Sequence, residues 1–237
     1  MIKIIAKLFN KNIDITENTS PRLESSILEV LNNINLKYDF SQSTLLEIGS
    51  RDGLDSYRIK NLLNIDSKNV LIVEANPTCC EFIRKKYPKF RVINYAIYNK
   101  EESLTFNKVL KENIGTSSLL DRRDNYYHDK SEKISVSAIR GETLLKKFNL
   151  SNIGFCKIDV EGATYEVIES FEDMLSTIQF LHIECEHKQV WENQKLYDDI
   201  KKLLEFKNFE QVFFEYVSDE KLQSDSIWRN KNKLELL

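Results

Sequence analysis

The stretch Thr44-Leu45-Leu46-Glu47-Ile48-Gly49-Ser50-Arg51-Asp52-Gly53 limits the possible folds more than any other part of the chain. Residues 44–48 form a short apolar run with the length of a buried strand. Gly49 and Gly53 bracket a tight turn, and a helical pattern begins near Leu54. A strand, a glycine-bearing turn and a helix make up the opening unit of a nucleotide-binding α/β sheet. Glycine has no Cβ, so its backbone can approach a ligand closely or take positive φ. The spacing Glu-x-Gly-x-x-x-Gly is neither the dinucleotide fingerprint G-x-G-x-x-G nor a Walker loop. An acid two residues before the first glycine suits a cofactor that carries a positive charge. The competing reading is a strand-turn-helix that binds nothing.

Val70-Leu71-Ile72-Val73 reads as a second apolar strand and ends in Glu74, 21 residues after Gly53. That is close to the roughly 20-residue offset of an acid that accepts from ribose hydroxyls. A carboxylate facing a diol makes charge-assisted hydrogen bonds of about 1.5–3 kcal/mol each. The alternative is an acid that ends a strand in solvent.

Composition sets the wider limits. The 237 residues are long enough for one α/β domain with a substantial core. They are 41% hydrophobic, 30% charged and 11% aromatic, which describes a folded chain and not a disordered one. A net charge of −3 gives no field that favours nucleic acid or an anionic membrane, so neither is expected as a partner. No run approaches the roughly 18 apolar residues of a membrane span. Residues 1–12 are broken by Lys3, Lys7 and Lys11 and do not read as a signal peptide, so a cytoplasmic location is expected. Cys79, Cys80, Cys156 and Cys185 form no C-x-x-C. They read as buried free thiols, and no metal site is expected.

Residues 1–43 read as a helical appendage, with one helix over about 21–34 that starts at Pro21 with Ser20 as its cap. It packs ahead of the sheet or closes over a substrate. The main domain, 44–237, has strands at 44–48, 70–74, 91–97, 154–158 and 179–185. Helices at 54–64, 77–87, 142–150, 164–175 and 197–206 separate or follow them, and 209–217 and 226–229 are closing strands. Alternation at 103–106 and 134–137 indicates a hairpin excursion around a mobile loop, the polar stretch 121–133, which contains His128. His128 reads as a solvated loop residue.

Asp159-Val160-Glu161-Gly162 completes a pattern. With Glu47 to Gly53, Glu74-Ala75-Asn76-Pro77, the Ala96 strand end, Gly115-Thr116-Ser117-Ser118-Leu119 and Lys157-Ile158, it resembles the FkbM-type S-adenosylmethionine-dependent methyltransferases over about 44–187. The resemblance implies a Rossmann-like class I methyltransferase fold: seven strands, mostly parallel, one antiparallel, flanked by helices. It implies S-adenosyl-L-methionine as cofactor and O-methylation, often of sugars or polyketides. Two positions depart from the family. Tyr165 stands where an acid is usual, with Thr164 beside it, and Glu74-Ala75-Asn76 replaces Glu-Pro-Asn.

In an open α/β sheet the ligand lies beyond the carboxyl ends of the strands. This places Glu47, Gly49, Ser50, Arg51, Asp52, Gly53, Glu74, Ala75, Asn76, Tyr95, Ala96 and Asp159 as the expected cofactor contacts. The expected catalytic candidates are Asp159, Glu184 and His187, with a helix cap as the plainer role for Asp159. The acceptor is expected to be a small molecule or a glycan. The competing functions are a nucleotide-linked oxidoreductase, which the glycine spacing disfavours, and a binding module without catalysis.

Overall fold

The computed structural model describes residues 25–123, 130–217 and 219–233. Ser20, Pro21 and His128 lie outside them. The described part of the first helix is α1 (Ser25–Asn35). The chain then runs β1 (Thr44–Ile48), α2 (Leu54–Leu62), β2 (Val70–Glu74), α3 (Pro77–Lys86), β3 (Arg91–Asn94) and β4 (Ala96–Ile97). A hairpin follows, β5 (Ser103–Val109) and β6 (Ser131–Ile139), and then α4 (Gly141–Lys147), β7 (Ile153–Ile158), α5 (Thr164–Glu169) and β8 (Ile178–Glu186). The last described elements are α6 (Tyr197–Phe206), β9 (Phe209–Tyr216) and β10 (Gln223–Asn230).

The main sheet has seven strands in the order β3-β2-β1-β7-β8-β10-β9. The pairs β1–β2, β1–β7, β2–β3 and β7–β8 are parallel, while β10 runs antiparallel to both β8 and β9. This is the sheet that the resemblance implied. Its central strands are buried on both faces because helices cover both: every residue of β2 and β7 is buried.

Two of the expected segments divide. In 91–97, the Asn94 side-chain amide donates at 2.8 Å to the carbonyls of both Glu74 and Ala75, which ends the pairing with β2. The chain turns at Tyr95, and Ala96–Ile97 join β6 in a second, three-stranded sheet, β4-β6-β5. The expected helix 164–175 ends at Glu169. It resumes as a tight 3-10 turn, Glu172–Thr177, after Glu172 enters the left-handed region at φ 50°.

Alternation along the strands divides the core. Leu46, Ile48, Leu71, Val73, Cys156 and Ile158 face one cluster, and Leu45, Val70, Ile72, Phe155 and Phe180 face the other. Ile27 and Leu31 of α1 are fully buried in the second cluster with Leu45 and Ile59. On this second face the strands begin apolar and end polar. Leu45 is followed by Glu47, Ile72 by Glu74, Phe155 by Lys157, and Phe180 by His182 and Glu184. The four thiols are free and buried. No described helix is long and apolar enough to cross a membrane.

Candidate active site

The first turn is held by a close backbone approach. Gly49 has φ 75°, and a Cβ there would lie 1.9 Å from the carbonyl oxygen of Asp159. The turn after β1 and the turn after β7 are therefore in contact, and only glycine fits between them. Gly49 N–H donates to Val73 O and Asp159 N–H to Ile48 O, both at 2.9 Å, so the three strand ends are locked together. Arg51 follows at φ 54°.

Glu74 is the acceptor for this turn. One oxygen accepts from Ser50 N–H at 2.9 Å and Arg51 N–H at 3.0 Å, and the other accepts from Asn76 N–H at 2.7 Å. The residue is 6% exposed, which excludes the reading of a strand end in solvent. A carboxylate offers about four lone-pair sites, so one remains free on the Asn76 side. Burial raises the Glu74 pKa, and the three backbone donors work against that rise.

Beyond these strand ends lies a cleft that encloses about 630 Å³ of empty space, the solvent at its open mouth included. Gly49, Ser50, Arg51, Glu74 and Ala75 form its floor, Tyr95 and Ala96 one side, and Asp159, Val160 and Ala163 another. The hairpin excursion is its roof: Phe106 from β5, with Ile114 and, from the stretch 115–119 that is part of the family resemblance, Ser117 and Leu119. The Ser118 hydroxyl donates at 2.6 Å to Glu161 O, which ties this roof to the turn after β7. No local pattern marks Phe106 or Ile114, because a long-range pairing brings them to the cleft.

The far wall is rich in charge. Lys157 is 4% exposed, and its ammonium lies 2.7 Å from Asp159 Oδ2 and 3.1 Å from Asp55 Oδ2. Burial works against this charge, but Asp159, Asp55 and Glu47 outweigh it and carry the Lys157 pKa well above its ordinary value. Carboxylate oxygens of Asp159, Glu161 and Glu184 lie within 4.8 Å of one another. Burial, followed by Asp159, Asp225 and Glu161, holds the Glu184 pKa well above the usual carboxylate range. The Gln223 amide donates to Glu184. Glu186 is pushed up to about 7, mainly by burial, and accepts from Trp191 Nε1 at 3.3 Å.

Several expected contacts face elsewhere. The Glu47 carboxylate is outside the cleft lining. It is buried beneath the turn, accepts from the hydroxyls of Ser50 at 2.8 Å and Ser56 at 2.5 Å, and is pushed up to about 8, mainly by burial. Asp52 accepts from Leu54 N–H at 3.1 Å and opens α2. Gly53 packs against Tyr87, where a Cβ would come within 2.9 Å of the ring. Asn76 caps α3 by accepting from Thr78 N–H at 3.0 Å. His187 is on the opposite face of β8 from Glu184, because three residues along a strand reverse the side. It bonds Ser224 Oγ at 2.8 Å and packs among Tyr197, Phe214 and Tyr216. Glu184 is beside Asp159 but outside the cleft lining. Thr164, beside the departure from the family pattern at Tyr165, donates at 3.1 Å to Glu184 O and binds α5 to β8.

The strand order and the cleft at the carboxyl edge define a class I methyltransferase fold. Solved structures similar to it include M. capricolum TrmK in complex with S-adenosyl-homocysteine, at 12% identity and TM-score 0.50, covering 90% of this chain and 70% of that one. Another is the methyltransferase FkbM from Methylobacillus flagellatus KT, at 9% identity and TM-score 0.50, covering 79% of this chain and 43% of that one. No curated protein matches the chain. Residues 47–211 match the methyltransferase FkbM domain, and the chain belongs to that family. It is an S-adenosylmethionine-dependent methyltransferase.

Proposed function

We propose that this methyltransferase acts on a hydroxyl group of a polyhydroxylated acceptor, a sugar, a glycan or a related small metabolite. The observation that carries the proposal is the Asp159 carboxylate on the wall of the cleft, with carboxylate oxygens of Glu161 and Glu184 within 4.8 Å of it behind the lining. Carboxylates accept hydrogen bonds from hydroxyls and repel the phosphates on which nucleic-acid affinity depends.

The residues of the cleft suit the cofactor. The turn at Gly49 to Arg51 brings backbone to the floor and takes the methionine part, and the free site on Glu74 takes a ribose hydroxyl. Ala96, Ile97, Phe106 and Ile114 give an apolar slot for a planar base. S-Adenosylmethionine supplies a methyl group on a sulfonium, which is a good leaving group. Alignment of the acceptor oxygen therefore provides most of the acceleration. Asp159 takes the hydroxyl proton on its carboxylate as the oxygen attacks, a contribution of roughly 10²–10⁴-fold.

Labelled methyl transfer to a panel of glycosides, small alcohols and RNA tests this. Transfer to a glycoside hydroxyl is expected, and transfer to RNA alone would overturn the proposal. Asp159→Asn keeps shape and hydrogen bonding, so it is expected to fold and to lose about 10²-fold or more in turnover. Full turnover in that variant would remove Asp159 from the chemistry.

A further inference from the structure

The sheet places a charged row beneath the cleft. In the strand register Glu47 of β1 lies beside Lys157 of β7, which lies beside His182 of β8. His182 in turn bonds Asp225 of β10 at 2.7 Å. Lys157 is the cation of this row nearest the cleft, and it reaches in two directions. It grips Asp159, two residues along its own chain, and Asp55 in the first turn of α2. Asp55 is 2% exposed, and neither of its carboxylate oxygens has a hydrogen-bond partner among the described residues, so the Lys157 ammonium is what balances its charge.

A lysine in this place is expensive as a structural element. Desolvating an ammonium and two carboxylates costs several kcal/mol per ion, and well-packed apolar residues often stabilise a core as well or better. The arrangement does something that an apolar residue cannot do. It supplies a fixed positive charge 2.7 Å from the one carboxylate that lines the cleft on this wall.

We propose that Lys157 is a positioning residue: it clamps Asp159 between the end of β7 and the start of α2, and holds its carboxylate charged and pointed along the cleft wall. The inference rests on the role given to Asp159 above. The carboxyl groups of Glu74 from β2 and of Glu184 and Glu186 from β8 oppose the Asp159 charge, and Glu161 from the following turn lies against it, while Glu47, Asp55 and Asp225 belong to the charged row around Lys157 and His182. Without Lys157 the ammonium that favours the charged form is gone, and a protonated Asp159 cannot accept a proton. An opposite charge at this range lowers a carboxyl pKa by about 1–3 units, so removing it reverses that effect.

The test follows the Asp159 carboxyl directly, by carbon-13 NMR of aspartate-labelled protein, with the resonance assigned by its loss in Asp159→Asn. Lys157→Met alone leaves Asp55 buried without a cation and can unfold the chain. The informative pair is therefore Asp55→Asn against Asp55→Asn/Lys157→Met. The first is expected to titrate Asp159 at or below the wild-type midpoint, because Lys157 no longer divides its charge with Asp55. The second is expected to move the midpoint up by at least one pH unit and to move the acid limb of kcat/KM with it. An unmoved midpoint overturns the clamp, even if Asp159→Asn abolishes turnover. A moved midpoint with full turnover in Asp159→Asn keeps the clamp and removes the base role.

Discussion

On the β1–β2 side of the cleft, backbone donors are gathered and one carboxylate serves them: Glu74 accepts from Ser50, Arg51 and Asn76. On the β7–β8 side the balance is reversed. Asp159, Glu161 and Glu184 crowd together, with Lys157 the buried cation beside Asp159. The first wall consists of satisfied hydrogen bonds and is part of what holds the fold together. The second stores unfavourable charge that an apolar replacement would relieve. A site with both walls has a rigid side, suited to a cofactor of fixed shape, and a strained side, suited to chemistry that moves a proton.

The comparison is broken or sharpened by three substitutions. The largest effect is expected from Gly49→Ala on the rigid side. Positive φ costs a non-glycine residue about 1–2 kcal/mol, and the clash with Asp159 O adds about 1–3 kcal/mol. Thermal unfolding should show a fall of roughly 4–20 °C or no folded protein, and an unchanged midpoint would mean that the two turns are not in contact. Next is Glu74→Ala, which leaves three backbone donors without their acceptor. A loss of at least about 2 kcal/mol in stability is expected, together with about 1.5–3 kcal/mol in S-adenosylhomocysteine affinity by calorimetry. Full stability would show that water replaces the carboxylate and that the wall is not rigid.

The smallest effect should have the opposite sign. Glu184 has a raised pKa in the fold, so its contribution to stability is complete below the unfolded value of about 4.3 and is lost as pH rises through the raised folded value. Glu184→Gln keeps an acceptor for Gln223 and removes the charge. The variant should match the wild type near pH 4.5 and melt about 2–4 °C higher at pH 8, the response to about 1 kcal/mol in a chain of this size. A variant less stable at pH 8 would place Glu184 with the satisfied carboxylates.

The rigid wall was more legible in the sequence than the strained one. β1, β2 and β7 read directly as apolar runs because helices bury both their faces, and α6 was read to its observed bounds for its apolar stripe. Gly49 was legible as a close approach, although its partner, Asp159 O, was not. Glu47 misled because the spacing of an acid from a glycine does not say whether it faces the ligand or the core below. His187 misled although period-2 alternation separates it from Glu184, and a stricter use of that period would have put it on the other face. The lysine under Asp159 read as part of an apolar strand because its neighbours, Cys156 and Ile158, are fully buried. Its partner Asp55 lies in another element, and nothing local links the two.

The contact between Gly49 and Asp159 also sets an order of assembly. β1 is made early in the chain, yet one of its two neighbours in the sheet is β7. The turn after β1 cannot take its final shape until β7 and the residue following it have been synthesised and laid alongside. Such a distant pairing is slow to form, since the chain must close a long loop before the contact returns any stability. A nascent chain that ends before β7 therefore has the glycine turn in its sequence and no cleft in its structure. Cofactor binding thus reports that the middle of the sheet has closed.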